Sequence, residues 1–328
     1  MNYNVDFDED LMSMGNIHAT HVKPLSEIYS MSGKNVIVTG GTTGLGYAIA
    51  NRFAEAGAKV VIVGRSAEKG AVAEKQFRDR GFEVTYCQAD ITEVSECEKA
   101  VKFMEDTYGP VDVLVNNAAR WIFSALVDQP EEYYDQTMDL NVKAYYFMAK
   151  YAARSMIKNR RPGKIVNVAS TAYVGVDFDN VGLLTTYNTS KGAVVSMTLG
   201  LAKELKQYGI NVNCVAPGGM DTYGNESDPV GLGDYLEKYG MAISELTASG
   251  GENPYCNPDE VALVVFFFAT DGANYLYGET IKASGGSGLS FQKMPIALSM
   301  DIPEDYTAPR KLHKKADGTV AYDDWYED

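Results

Sequence analysis

Between Lys34 and Ala283 the chain alternates short apolar runs with stretches of helical spacing, and that alternation limits it to one kind of sheet. The apolar runs fall at 36–38, 60–63, 83–88, 111–115, 164–168, 210–215 and 280–283. Between them, helical spacing spans 44–58, 66–80, 97–108, 131–159 and 187–208, and a Phe-rich segment at 261–269 precedes the last run. Runs such as Val60-Val61-Ile62-Val63 are apolar at every position, so both faces must be covered. This predicts an α/β protein: one doubly wound domain, its seven-stranded parallel sheet set between two helical layers. The domain is expected over 32–288, with an N-terminal arm at 1–31 and a C-terminal tail at 289–328. The arm carries Leu11, Met12, Ile17, Val22, Ile28 and Met31, too many apolar groups for a purely solvating leader, and is expected to pack.

Composition narrows the chemistry. A net charge of −15 offers no positive surface to nucleic acid or to an anionic membrane, and neither partner is expected. The three histidines, His18, His21 and His313, lie near the chain ends, away from every motif below. Zinc sites and Ser-His-Asp or Cys-His chemistry would need imidazoles in the folded middle, so no metal is expected. Cys87, Cys97, Cys214 and Cys256 show no C-x-x-C spacing, which with no signal peptide predicts free thiols in the cytoplasm. The apolar run at 261–269 is far shorter than the ~20 residues of a membrane span. Behind Asn257-Pro258-Asp259-Glu260 it reads as a buried helix with a capped start.

The first apolar run ends in Thr39-Gly40-Gly41-Thr42-Thr43-Gly44-Leu45-Gly46. Glycines permit a tight turn and close backbone approach, and the following helix N-terminus presents free N–H groups with a partial positive charge. A pyrophosphate fits such a turn, although the spacing is not G-x-G-x-x-G. Further along come Asp90-Ile91 after the third run, Asn116-Asn117-Ala118-Ala119 after the fourth, and Pro217-Gly218-Gly219-Met220-Asp221-Thr222 after the sixth. These four ordered motifs, spread over 32–288, resemble those of the short-chain dehydrogenases/reductases.

The resemblance implies a Rossmann-type fold and a nicotinamide dinucleotide. It places Gly40, Thr42, Thr43, Gly44, Leu45 and Gly46 at the cofactor and Asp90 at the adenine. Pro217, Gly218, Met220 and Thr222 belong to the segment that holds the carboxamide, and Ile91, Asn117, Ala118 and Ala119 are carried over as further cofactor-binding positions. The second run ends in Gly64-Arg65-Ser66, without the acid that would bond the ribose hydroxyls of NAD(H). Arg65, with Ser66 beside it, favours NADP(H) through a 2′-phosphate; an arginine stacked on adenine leaves NAD(H) open.

Tyr187 and Lys191 form Y-x-x-x-K, and residues four apart share a helix face. Tyr146 and Lys150 match the same pattern and read as a packing or solvated pair. Ser170, past the fifth run, precedes Tyr187 by seventeen residues, at the sheet edge where open α/β folds bind ligands. The resemblance makes Ser170, Tyr187 and Lys191 catalytic and adds Asn141, in Leu140-Asn141-Val142, as holder of a proton-relaying water. A phenol with a reference pKa of about 10 needs a neighbouring cation to exchange its proton near neutrality. Lys191 supplies one, and Ser170 would bond the substrate oxygen.

Three departures from the family pattern accompany these matches. The Ser170–Tyr187 gap is longer than usual, Ala119 stands for a glycine, and Ala283-Ser284-Gly285-Gly286 lacks an aspartate before its glycines. The extra residues around 176–180 are expected to form a loop over the pocket. The family's substrate lid corresponds to 223–256, which here includes Tyr235, Leu236, Tyr239, Met241 and Tyr255. An aromatic lid suits a bulky hydrophobic ketone or alcohol, and lid, arm and tail together resemble hydroxysteroid dehydrogenases with terminal extensions. A polyol or sugar dehydrogenase is the alternative, and a non-catalytic dinucleotide sensor a further one. The family also implies a homotetramer or homodimer built on the helices at 131–159 and 187–208.

Overall fold

The computed structural model describes residues 23–174, 183–220 and 257–284. The expected pocket loop at 176–180, the lid at 223–256 with Thr222, most of the arm and the tail lie outside the described residues.

Seven strands form one parallel sheet: β1 (Asn35–Thr39), β2 (Lys59–Gly64), β3 (Val84–Gln88), β4 (Val113–Asn116), β5 (Gly163–Val168), β6 (Ile210–Pro217) and β7 (Thr280–Ala283). Their spatial order is β3-β2-β1-β4-β5-β6-β7. The helices are α1 (Gly44–Glu55), α2 (Ala67–Asp79), α3 (Val94–Thr107), α4 (Glu131–Met138), α5 (Ala144–Lys158), α6 (Thr185–Leu205) and α7 (Pro258–Ala269).

Side chains alternate across each strand and divide the core in two. Val36, Val38, Val60, Ile62, Val113 and Val166 face α1 and α7, where Ile49, Phe53, Val265 and Phe268 are fully buried. Ile37, Val61, Leu114, Ile165 and Val212 face α3 and α5, packing on Met104, Met148 and Met156. An Arg52–Asp259 ion pair clamps α1 to α7. The start of α7 is capped as its sequence predicts, with the Asn257 side chain accepting from Asp259 N at 2.9 Å.

One expectation needs correction. The helix predicted over 131–159 is interrupted by a π turn, Asp139–Lys143, with Asn141 at its middle. Apolar spacing is blind to one added residue in a turn, because both flanking segments keep their own period. The described end of the arm includes a one-turn helix, Leu25–Ile28, and its last residue Met31 is buried in the main core. Met31 N donates to Ala56 O at 2.9 Å, and Lys23 pairs with Asp271 at 2.7 Å.

Candidate active site

The order of the sheet reverses between β1 and β4, and the carboxyl ends of its strands open there into a cleft of about 630 Å³. The glycine turn forms one wall. Gly40 has φ +66°, and a Cβ on it would lie 2.9 Å from the Ala118 Cα. A methyl on Gly46 would run into the Gly40 carbonyl, so turn and helix close on each other only without side chains. The Thr39 hydroxyl accepts from Asn117 N at 2.9 Å and Ala118 N at 3.1 Å, tying β1 to the segment after β4. Thr43, the N-cap of α1, makes no side-chain capping bond. The first-turn donors therefore stand at the cleft wall without that partner, beside glycines whose missing Cβ lets turn and helix close tightly. Both features suit a pyrophosphate.

At the far end, β2 delivers Arg65 and Ser66 to the cleft. Ser66 caps α2 by accepting from Lys69 N at 3.3 Å. The half-exposed Arg65 guanidinium lies 3.9 Å from the Asp90 carboxylate, which also accepts from Thr92 N and Oγ1. Lys69 lines the same rim and went unnoticed in the sequence. Its signal was there: a cation three residues after the cap.

The third residue of α6 is Tyr187, and Lys191 follows one turn later. Both line the cleft with Ser170. Lys191 is 1% exposed, donates from Nζ to Val168 O at 2.9 Å, and lies 5.6 Å from the Tyr187 ring centre. Burial pushes its ammonium down to about 8. The Ser170 hydroxyl accepts from Ala172 N at 3.2 Å, which fixes the side chain against the short helical turn Thr171–Val174.

Asn141 sits one layer behind, fully buried. Its Oδ1 accepts from Arg120 N at 2.8 Å, and its Nδ2 donates to Arg120 O at 2.8 Å and to Ser190 Oγ at 2.9 Å. Ser190 Oγ in turn donates to Tyr187 O at 2.7 Å. The carboxamide is thus bonded to protein partners through both its oxygen and its nitrogen. It joins the backbone beside Trp121 to the helix that carries Tyr187. Trp121, another cleft residue that no motif marks, meets Tyr187 edge-on with ring centres 6.5 Å apart.

Every other expected cofactor position from Gly40 to Met220 lines this one cleft: Thr42, Thr43, Gly44, Leu45, Ile91, Asn117, Ala118, Ala119, Pro217 and Gly218 among them.

The sequence profile of the short chain dehydrogenases matches residues 34–229, and the chain belongs to that family. It is 34% identical over 264 residues to the NAD-dependent glycerol dehydrogenase of Listeria innocua, spanning 80% of this chain and 97% of that one. Among solved structures, a variant of actinorhodin polyketide ketoreductase with NADPH matches at TM-score 0.70 and 30% identity, over 78% of this chain and 98% of that one. A gluconate 5-dehydrogenase from Burkholderia cenocepacia with NADP and tartrate matches at TM-score 0.69 and 27% identity, over 82% and 100% of the two chains. The protein is therefore an NAD(P)-dependent oxidoreductase acting on a small molecule. Among the described residues, no helix is long and apolar enough to cross a membrane.

Proposed function

We propose that the enzyme interconverts a bulky apolar ketone and its secondary alcohol, of the hydroxysteroid kind, using NADP(H). The observation that carries the substrate class is Trp121, an indole on the cleft wall directly beside Tyr187. A flat apolar wall at that point favours a ring system over a chain of hydroxyls. Arg65 and Lys69, two cations at the adenosine end without an acid on β2, favour a 2′-phosphate.

The bound nicotinamide supplies or takes up the hydride. In the reducing direction, Tyr187 passes its phenolic proton to the oxygen that becomes alkoxide. Lys191 stabilises the phenolate left behind and bonds the nicotinamide ribose. Ser170 donates to the substrate oxygen, and Asn141 holds Tyr187 and the Trp121 segment at a fixed distance. An intact proton donor argues against a sensor without turnover.

A second reading, polyol or sugar oxidation, is favoured by the glycerol and gluconate dehydrogenases among the relatives. The two separate in a cofactor-absorbance assay over steroid ketones, diacetyl, glycerol and galactitol. Steroid turnover should fall roughly tenfold in Trp121→Ala, the loss of about 1.4 kcal/mol of apolar contact. Turnover confined to polyols, with Trp121→Ala indifferent, would overturn the apolar assignment. For assembly, we take the exposed Tyr146, Ile157 and Leu199 on α5 and α6 as supporting a homotetramer or homodimer. The catalytic domain is taken as 32–288.

A further inference from the structure

Lys191 does not stand alone under Tyr187. A second phenol, Tyr145 on α5, is completely buried beside it, with its ring centre 5.4 Å from Lys191 Nζ. The Tyr145 hydroxyl donates to Val168 O at 3.2 Å, the same carbonyl that accepts from Lys191 at 2.9 Å. The ammonium therefore lies against two aromatic rings, Tyr187 and Tyr145, and shares the Val168 carbonyl with the second of them. We propose that Tyr145 is a positioning residue for Lys191: its ring supports the ammonium, and its hydroxyl holds the carbonyl on which the ammonium is anchored.

The electrostatics of this pocket give the arrangement a purpose. A fully buried ammonium is drawn towards its neutral form, and burial, offset in part by Cys214, brings Lys191 down to about 8. The groups facing it are Tyr187 from its own helix, Tyr145 from α5 and Cys214 from β6, whose thiol burial pushes up to about 11 and keeps neutral. Among the described residues, no carboxylate forms an ion pair with Lys191. The negative ring faces then support its charge together with the Val168 carbonyl. The Tyr145 hydroxyl fills the second lone-pair position of the Val168 carbonyl, which keeps that carbonyl from turning away. Neither function requires Tyr145 to meet substrate or cofactor. The proposal rests on Lys191 acting on Tyr187 and on the ribose.

The test reads Lys191 directly. In the full-length protein labelled with 13C-lysine, the Lys191 ammonium is titrated by NMR in wild type, Tyr145→Met and Tyr145→Phe, with Phe77→Leu as a control for loss of a buried aromatic elsewhere. Tyr145→Met fills the space without a ring, and its Lys191 midpoint should fall by roughly half to one pH unit. Tyr145→Phe keeps the ring and should keep the midpoint, while NADPH binds roughly two- to tenfold more weakly because the anchor has loosened. A wild-type midpoint in Tyr145→Met, or an equal fall in Phe77→Leu, overturns the proposal. If Tyr145→Met does not fold, NADPH affinity in Tyr145→Phe decides, and a wild-type value overturns it. Lys191→Ala separates the two layers: full turnover in that variant refutes the catalytic reading of Lys191 while leaving the titration result standing.

Discussion

At Tyr187 the ring meets Trp121 on one side and Lys191 on the other, contacts that a phenylalanine would keep. Tyr187→Phe should lower turnover by roughly 10²–10⁴-fold and leave dinucleotide affinity near wild type, measured by steady-state kinetics and cofactor titration. Substantial residual turnover would place the proton donor elsewhere. Arg65 permits an equally direct test. Its guanidinium leans towards Asp90 at 3.9 Å, a separation at which an exposed pair contributes little, so it stays available to a phosphate. Arg65→Ala should weaken NADP(H) binding by about 1.5–3 kcal/mol and spare NAD(H). Equal losses for the two cofactors would assign Arg65 to the adenine or to the fold.

Among the elements, the glycine turn and α1 form the tightest junction in the cleft. Gly46→Ala forces its methyl against the Gly40 carbonyl and the Asn117 carboxamide, so α1 must shift or the turn must open. The expected result is a loss of about 1–3 kcal/mol in urea unfolding, together with at least tenfold weaker dinucleotide binding. Unchanged binding would show that the turn does not touch the cofactor. This junction was legible in the sequence because only glycine satisfies it, and the strands were legible because Val, Ile and Leu fill both faces of a buried parallel sheet. Other features leave no such trace. The π turn at Asp139–Lys143 adds a residue without changing composition. Trp121 and Tyr145 reach the reactive end by tertiary contact, and Tyr145 is only one more apolar position in a helix face until Lys191 is seen against it. Asn141 stands in a sequence motif, yet what its carboxamide bonds became visible only once Arg120 and Ser190 were brought beside it.

Over the whole molecule, the chain before β1 is tied to the domain by more than its covalent link. Met31 is buried beneath α1, and Lys23 bridges to Asp271 beyond α7. Deleting residues 1–31 keeps every candidate catalytic group but removes this packing. The melting temperature should fall by roughly 5–10 °C, as for loss of one large buried side chain. An unchanged melting curve would show that the segment adds nothing to the fold. The reversal of strand order between β1 and β4 has a consequence of another kind. The proposed adenosine and pyrophosphate contacts come from Gly40 to Asp90, ahead of the seam, whereas Trp121, Ser170, Tyr187 and Met220 all come after it. Inheritance can therefore retool one half while keeping the other intact. Changes in the loops after the seam can reshape the reactive end while the adenosine and pyrophosphate contacts ahead of it stay as they are.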